Sequence, residues 1–144
     1  MAQPTNNFTV GRDTRYVLFG PFGQVDLGIL IGVSITPKYG SAASKPMNDP
    51  TIVRAIPDGW DIQLTVDRAN AALDRLCVQM EATHYGGGVT PMGSMQEIIT
   101  EPDGSVTRWH YTGMAIHVSN AGARHQEQVV KYTISGHARR KEAM

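Results

Sequence analysis

Apolar positions change period along this chain, and each period predicts a different element. Between Val25 and Ile35 apolar and polar residues alternate. Val25, Leu27, Ile29, Ile31, Val33 and Ile35 share one face; Gln24, Asp26, Gly28, Gly32 and Ser34 take the other, and Leu30 breaks the rule. Period two is the pattern of a strand with one buried face. The stretch WDIQLTVDRANAALDRL begins the same way, with Trp60, Ile62, Leu64 and Val66 apolar. From Asp67 the apolar steps lengthen, and Ala69, Ala72, Leu73, Leu76, Cys77 and Met80 form one helical stripe. The junction is therefore a structural corner. Asp67 is placed to cap a helix running to Ala82, Arg68 to meet solvent or an acid, and Gly86, Gly87 and Gly88 to stop the helix.

The remaining segments predict mostly strands. Residues 1–14 are polar and read as an arm. PKYGSAASKPMNDP, from Pro37 to Pro50, reads as a long loop of the kind that becomes ordered on contact with a partner. A short strand over Thr51–Ala55 leads to a Pro57-Asp58-Gly59 turn. Met92–Thr100 and Val106–Ser119 form a hairpin through Glu101-Pro102-Asp103-Gly104-Ser105. After a turn at Asn120-Ala121-Gly122, the last strand covers Gln128–Ala138, with Val130, Tyr132 and Ile134 opposite Lys131, Thr133 and Ser135. Residues 139–144 read as a charged tail. The expectation is one domain over residues 15–138, mainly β: an antiparallel sandwich or barrel with one flanking helix.

Composition narrows the function without naming it. The chain has 144 residues, 41% hydrophobic and 18% charged, as ordinary globular proteins do. Its 13 basic and 13 acidic residues cancel, so no global field draws it to nucleic acid or to an acidic membrane. The same balance leaves little charge repulsion against self-association. Cys77 is the sole cysteine, expected as a small core residue, so no intrachain disulfide is available. MAQPTNNFTV lacks the basic and apolar regions of a signal peptide, and no apolar run reaches the roughly 20 residues of a membrane span. The expectation is a chain compatible with a reducing cytoplasm.

No reactive motif stands out. His84, His110, His117, His125 and His137 lack the short spacings of a zinc site. There is no G-x-S-x-G elbow, and Gly86-Gly87-Gly88 is not followed by the Lys-Ser/Thr of a phosphate loop. Arg139, Arg140 and Lys141 have no basic stripe behind them and read as a solvated terminus. The expectation is a protein without catalytic, metal or cofactor-binding residues, and not an enzyme.

The order of the pieces is more telling than any one of them. Thr36-Pro37-Lys38, Pro57-Asp58-Gly59-Trp60, Val66-Asp67-Arg68-Ala69-Asn70, Leu73-Asp74, Pro102-Asp103-Gly104-Ser105 and His137-Ala138-Arg139-Arg140 follow one another over nearly the whole chain. In this order they resemble the tail tube protein of contractile-tailed bacteriophages. The resemblance implies hexameric rings that stack into a hollow tube, with inner strands joined around the ring and the genome passing through the lumen. It implies as partners the tail sheath protein, a baseplate initiator, a tail terminator, and a tape measure protein followed by DNA. The location implied is the virion, after assembly in the host bacterial cytoplasm. It brings no catalytic residues. A baseplate tube-initiator or Hcp-like secretion ring is the near alternative; a ligand-binding or enzymatic barrel with a site built from strand faces is the distant one. Lys38, Tyr39, Lys45 and Met47 are the candidate subunit or ring contacts. Asp61, Gln63 and Thr65 form one candidate lumen lining, Glu97 and Glu101 another, and the sequence does not choose between them. A neutral or acidic lining would let DNA pass without retaining it.

Overall fold

The computed structural model describes residues 13–144. The arm expected over residues 1–14 thus lies almost wholly outside the described residues, and Thr14 already opens a strand. The elements are β1 (Thr14–Gly20), β2 (Gly23–Val25), β3 (Ile29–Ser44), β4 (Ile52–Asp67), α1 (Ala72–Tyr85), β5 (Gly93–Thr100), β6 (Val106–Asn120), β7 (Lys131–Ala138) and β8 (Arg140–Ala143). Every strand pairing among them is antiparallel. The order is β2-β1-β5-β6-β7-β4-β3, with β8 also beside β6.

Strand β6 belongs to two sheets. Its first half pairs with β5 and β8, its second half with β7. Gly113 marks the corner between them at φ +60°, where an added Cβ would lie 2.8 Å from Arg139 Cδ. The amide of Arg139 donates to the Thr112 carbonyl at 3.0 Å, so β7 and β8 follow β6 around the corner in one register. Folded about this corner, the sheets enclose Leu18, Met95 and Tyr111 from one side and Ile62, Leu64 and Ile134 from the other. Leu73 and Leu76 of α1 are buried as well, at roughly 1.5–3 kcal/mol each. The architecture is the expected mainly antiparallel β fold with one flanking helix. It is an open sandwich: β2 and β3, at the ends of the strand order, do not meet.

Several boundaries differ from expectation, each for a local reason. The alternation from Val25 to Ile35 is two strands, because Gly28 (φ +72°) breaks it after β2. A bulge between Leu30 and Gly32 then reverses the phase. Leu30, Val33 and Ile35 consequently pack on the core, while Ile29 and Ile31 are exposed. The helix begins at Ala72, and Asp67 closes β4 without capping it. The N-cap position is Ala71, without a side-chain cap, and Asn70 before it braces the turn: its Oδ1 accepts from the Ala72 amide at 2.9 Å, and its Nδ2 donates to Asp26 at 2.8 Å. Arg68 does meet an acid, donating to Asp74 at 2.8 Å. Cys77 is only half-buried. Residues 139–144 are not a solvated tail, since Arg140–Ala143 is β8 on the edge of β6. The strand β1 had no counterpart in the sequence reading.

Candidate functional site

The largest departure concerns the expected loop over residues 37–50. Residues 37–44 continue β3, and only residues 45–51 connect it to β4. The last pairing of β4 with β7 is Trp60 with Ala138, and beyond it β3 and β4 run on alone. The result is a two-stranded arm about 24 Å long, of a kind that is marginally stable by itself in water. Tyr39, Met47, Ile52, Val53 and Ile56 are all exposed on it.

The arm leaves the body at a bulge. In register, Lys38 faces both Asp58 and Gly59, so the expected Pro57-Asp58-Gly59 turn is an extra residue inside β4. Gly59 has φ +91°, and a Cβ on it would come 2.6 Å from the Ala138 carbonyl and 2.7 Å from His137 Nε2. Only glycine fits this approach without strain. Among the expected contact residues, Lys38 is engaged at the arm base, Tyr39 lies on the arm, and Lys45 and Met47 are exposed in its tip.

Asp61, Gln63 and Thr65 do share an open face, as their alternation with buried Ile62, Leu64 and Val66 requires. Ser34 and Thr36 of β3, Ser135 and His137 of β7, and His117 of β6 complete it as a shallow trough. Asp61 is its charged centre, with Lys38 Nζ and His137 Nδ1 each 2.9 Å from the carboxylate. His137 and then Lys38 hold the Asp61 carboxyl below the usual carboxylate range. At the far end, Thr65, Lys131, Thr133 and His125 line a second trough.

Of the second candidate lining, Glu97 does not lie on an open face. Glu97 is only 6% exposed, inside the sandwich. Tyr16 donates its hydroxyl to Glu97 at 2.6 Å and Tyr111 at 3.3 Å. Burial first, then the Glu97 charge and hydrogen bond, push both phenols up from their ordinary value. Glu101 accepts from Thr107 Oγ1 at 2.8 Å beside the Glu101–Ser105 turn, which forms as expected. A carboxylate that satisfies buried hydroxyls cannot line an open channel.

Two clusters escaped the sequence reading. Lys141 Nζ stands over Trp60, Trp109 and Tyr111 at 4.9, 4.8 and 5.5 Å from the ring centroids. These contacts fasten β8. In the second, Tyr132 donates to Asp74 at 2.6 Å and accepts from Arg124 at 2.9 Å, tying α1 to β7. The first needs β4, β6 and β8 brought together and the second needs α1 docked beside β7; no linear spacing signals either.

No protein-family model matches this chain, and no curated protein matches it by sequence. Solved structures do match in fold. A chain of the anti-feeding prophage (AFP) tube-terminating cap aligns with TM-score 0.58 and 11% identity, over 99% of this chain and 95% of that one. A chain of the AFP baseplate aligns at 0.55 and 11%, over 100% and 97%. A chain from the sheath–tube complex of the PVC extracellular contractile injection system aligns at 0.56 and 9%, over 90% and 88%. At such identities the likeness is one of fold, and it spans nearly the full length on both sides. The chain has the fold found in the tube-terminating cap, baseplate and sheath–tube assemblies of contractile injection systems.

Proposed function

We propose that this protein is a structural subunit of a contractile tail, polymerising into the hollow tube through which DNA reaches the host. The observation that carries this reading is the open sheet. Along β3 and along the second half of β6, the outer edges have no strand partner among the described residues. An unpaired edge is a template for another chain. Two different edges used head to tail generate a ring when the rotation closes, and the ring proposed here has six copies. The β3–β4 arm reaches away from the body and presents Tyr39 and Met47, with Lys45 beside them, to the next ring. Asp61, Gln63 and Thr65 face the lumen, while the sheath, the baseplate initiator, the terminator and the tape measure protein complete the assembly. No catalysis is assigned to the chain, and its place is the virion, after assembly in the host cytoplasm.

A second reading has its own support. The likenesses to the AFP cap and baseplate chains are as strong as that to the PVC sheath–tube chain. A ring that begins or ends the tube is therefore the alternative. Electron microscopy of the purified protein separates the cases. Stacked tubes support the tube subunit and single rings support the initiator or terminator; a protein that stays monomeric at high concentration overturns both.

A further inference from the structure

Three of the five histidines gather at the outer face of the β3-β4-β7-β6 sheet, His125 from the loop between β6 and β7. His117 and His137 lie in the trough around Asp61, and His125 in the adjoining one. The fixed charges of the face cancel. Lys38 is paired with Asp61 at 2.9 Å, and Lys131 stands in register with Asp67 across β4 and β7. The groups that vary are the imidazoles, the side chains whose charge ordinarily changes between pH 5 and 8.

We propose that this face is a proton-gated binding surface for the phosphate backbone of nucleic acid. The reading of the protein as a conduit supplies the passenger; the face itself exists in the single chain. At neutral pH its balanced charges leave DNA little to hold, and the lining is slippery. Each imidazole that takes up a proton adds one positive charge to a face whose carboxylates already stand beside lysines, Asp61 paired with Lys38 and Asp67 in register with Lys131. His137 is met by Asp61 from β4 and, behind it, Lys38 from β3; from β6 the neighbours are Ala115 and His117, and from β7 Ser135. Asp61 stays ionised, its charge already matched by Lys38, so a proton on His137 is net gain. His117 faces Ser135 in register and has no carboxylate partner among the described residues. His125 is near Lys131, with Glu127 the acid of its own loop. Small residues at Ser34 and Ala115 keep the trough floor low enough for a backbone to approach.

The test measures binding of a fluorescent duplex DNA to the wild-type protein at pH 5.5 and 7.5, over a salt series. Wild type should bind about tenfold or more tighter at pH 5.5. The slope of log affinity against log salt should steepen by about 0.9 for each imidazole engaged. His117→Gln with His137→Gln should remove most of this pH effect while leaving the circular dichroism spectrum unchanged. Affinity that is equal at the two pH values, or a pH effect that survives in the double variant, overturns the proposal. Binding of polyglutamate in preference to DNA at pH 5.5 overturns the assignment of a phosphate backbone. Failure of the tube reading is seen separately, as absence of rings or tubes by microscopy, because the binding assay does not depend on assembly.

Discussion

Tyr16 and Glu97 face each other across β1 and β5, and their side chains close a 2.6 Å hydrogen bond inside the sandwich. With Tyr111 as a second donor, the one buried carboxylate among the described residues is held by two phenols. Glu97→Ala should therefore destabilise the fold by about 1–3 kcal/mol, since both hydroxyls lose their acceptor. Urea denaturation monitored by tryptophan fluorescence reads this directly. Stability unchanged within error would mean that the cluster contributes nothing.

The same cluster predicts a loss of stability in alkali. Burial, with Glu97 second, raises both tyrosine pKa values above the unfolded value. A raised pKa contributes stability that is complete below about pH 10 and is lost as pH climbs towards the folded value. Melting temperature should fall steeply above pH 10, with tyrosinate absorbance rising late and together with unfolding. Glu97→Gln should leave most of the delay in place, because burial is its larger cause.

In acid the sign reverses. Asp61 and Asp74 are both held below the usual carboxylate range, Asp61 by His137 and Lys38, Asp74 by Tyr132 and Arg68. Their contribution is present above about pH 4 and disappears as pH falls through the lowered values. Asp74→Asn should flatten the acid limb of a melting-temperature profile between pH 2 and 5. An acid limb identical to wild type would remove Asp74 from the account.

Leu73 and Leu76 are the buried residues of α1. Replacing either by alanine should cost roughly 2–5 kcal/mol, from lost burial and the cavity left behind. A denaturation midpoint that does not move would show that the helix is not docked through these residues.

Gly59→Ala isolates the arm. The substitution places a methyl group against the Ala138 carbonyl and the His137 ring in a backbone conformation that alanine resists. The expected cost is about 1 kcal/mol or more, with a change in His137 chemical shifts at the arm base. Tube formation should suffer more than monomer stability, which sedimentation and thermal melting measure side by side. Normal tubes from this variant would show that the bulge does not aim the arm.

How much of this was legible beforehand depends on what each segment buries. Ile62, Leu64, Val66, Tyr132 and Ile134 alternate with polar residues because one side of their strands is solvated, and alternation is visible in a string of letters. The arm carries no such signal. Both of its faces are exposed, so it has no alternation to show. Pro37 and Pro57 suggest a loop unless one knows that an open edge tolerates a missing N–H. The bulge at Ile31 hides in the same way, because one extra residue reverses the phase without changing composition. Asp61, Gln63 and Thr65 were found as a face because they lie on a single strand. Their histidines were not, since His117 and His137 become neighbours only when β6 pairs with β7.

One strand shared by both sheets also has a mechanical meaning. A pull on the arm runs along β4, passes to β7 through a ladder parallel to the force, and reaches β6 the same way. Ladders stretched in this direction are sheared: their hydrogen bonds resist together instead of opening one after another, as they do when a hairpin is unzipped. At Gly113 the tension enters the second sheet along covalent backbone, with no side-chain packing to slip. A subunit pulled from its arm should deform as one body, with the corner at Gly113 as its pivot.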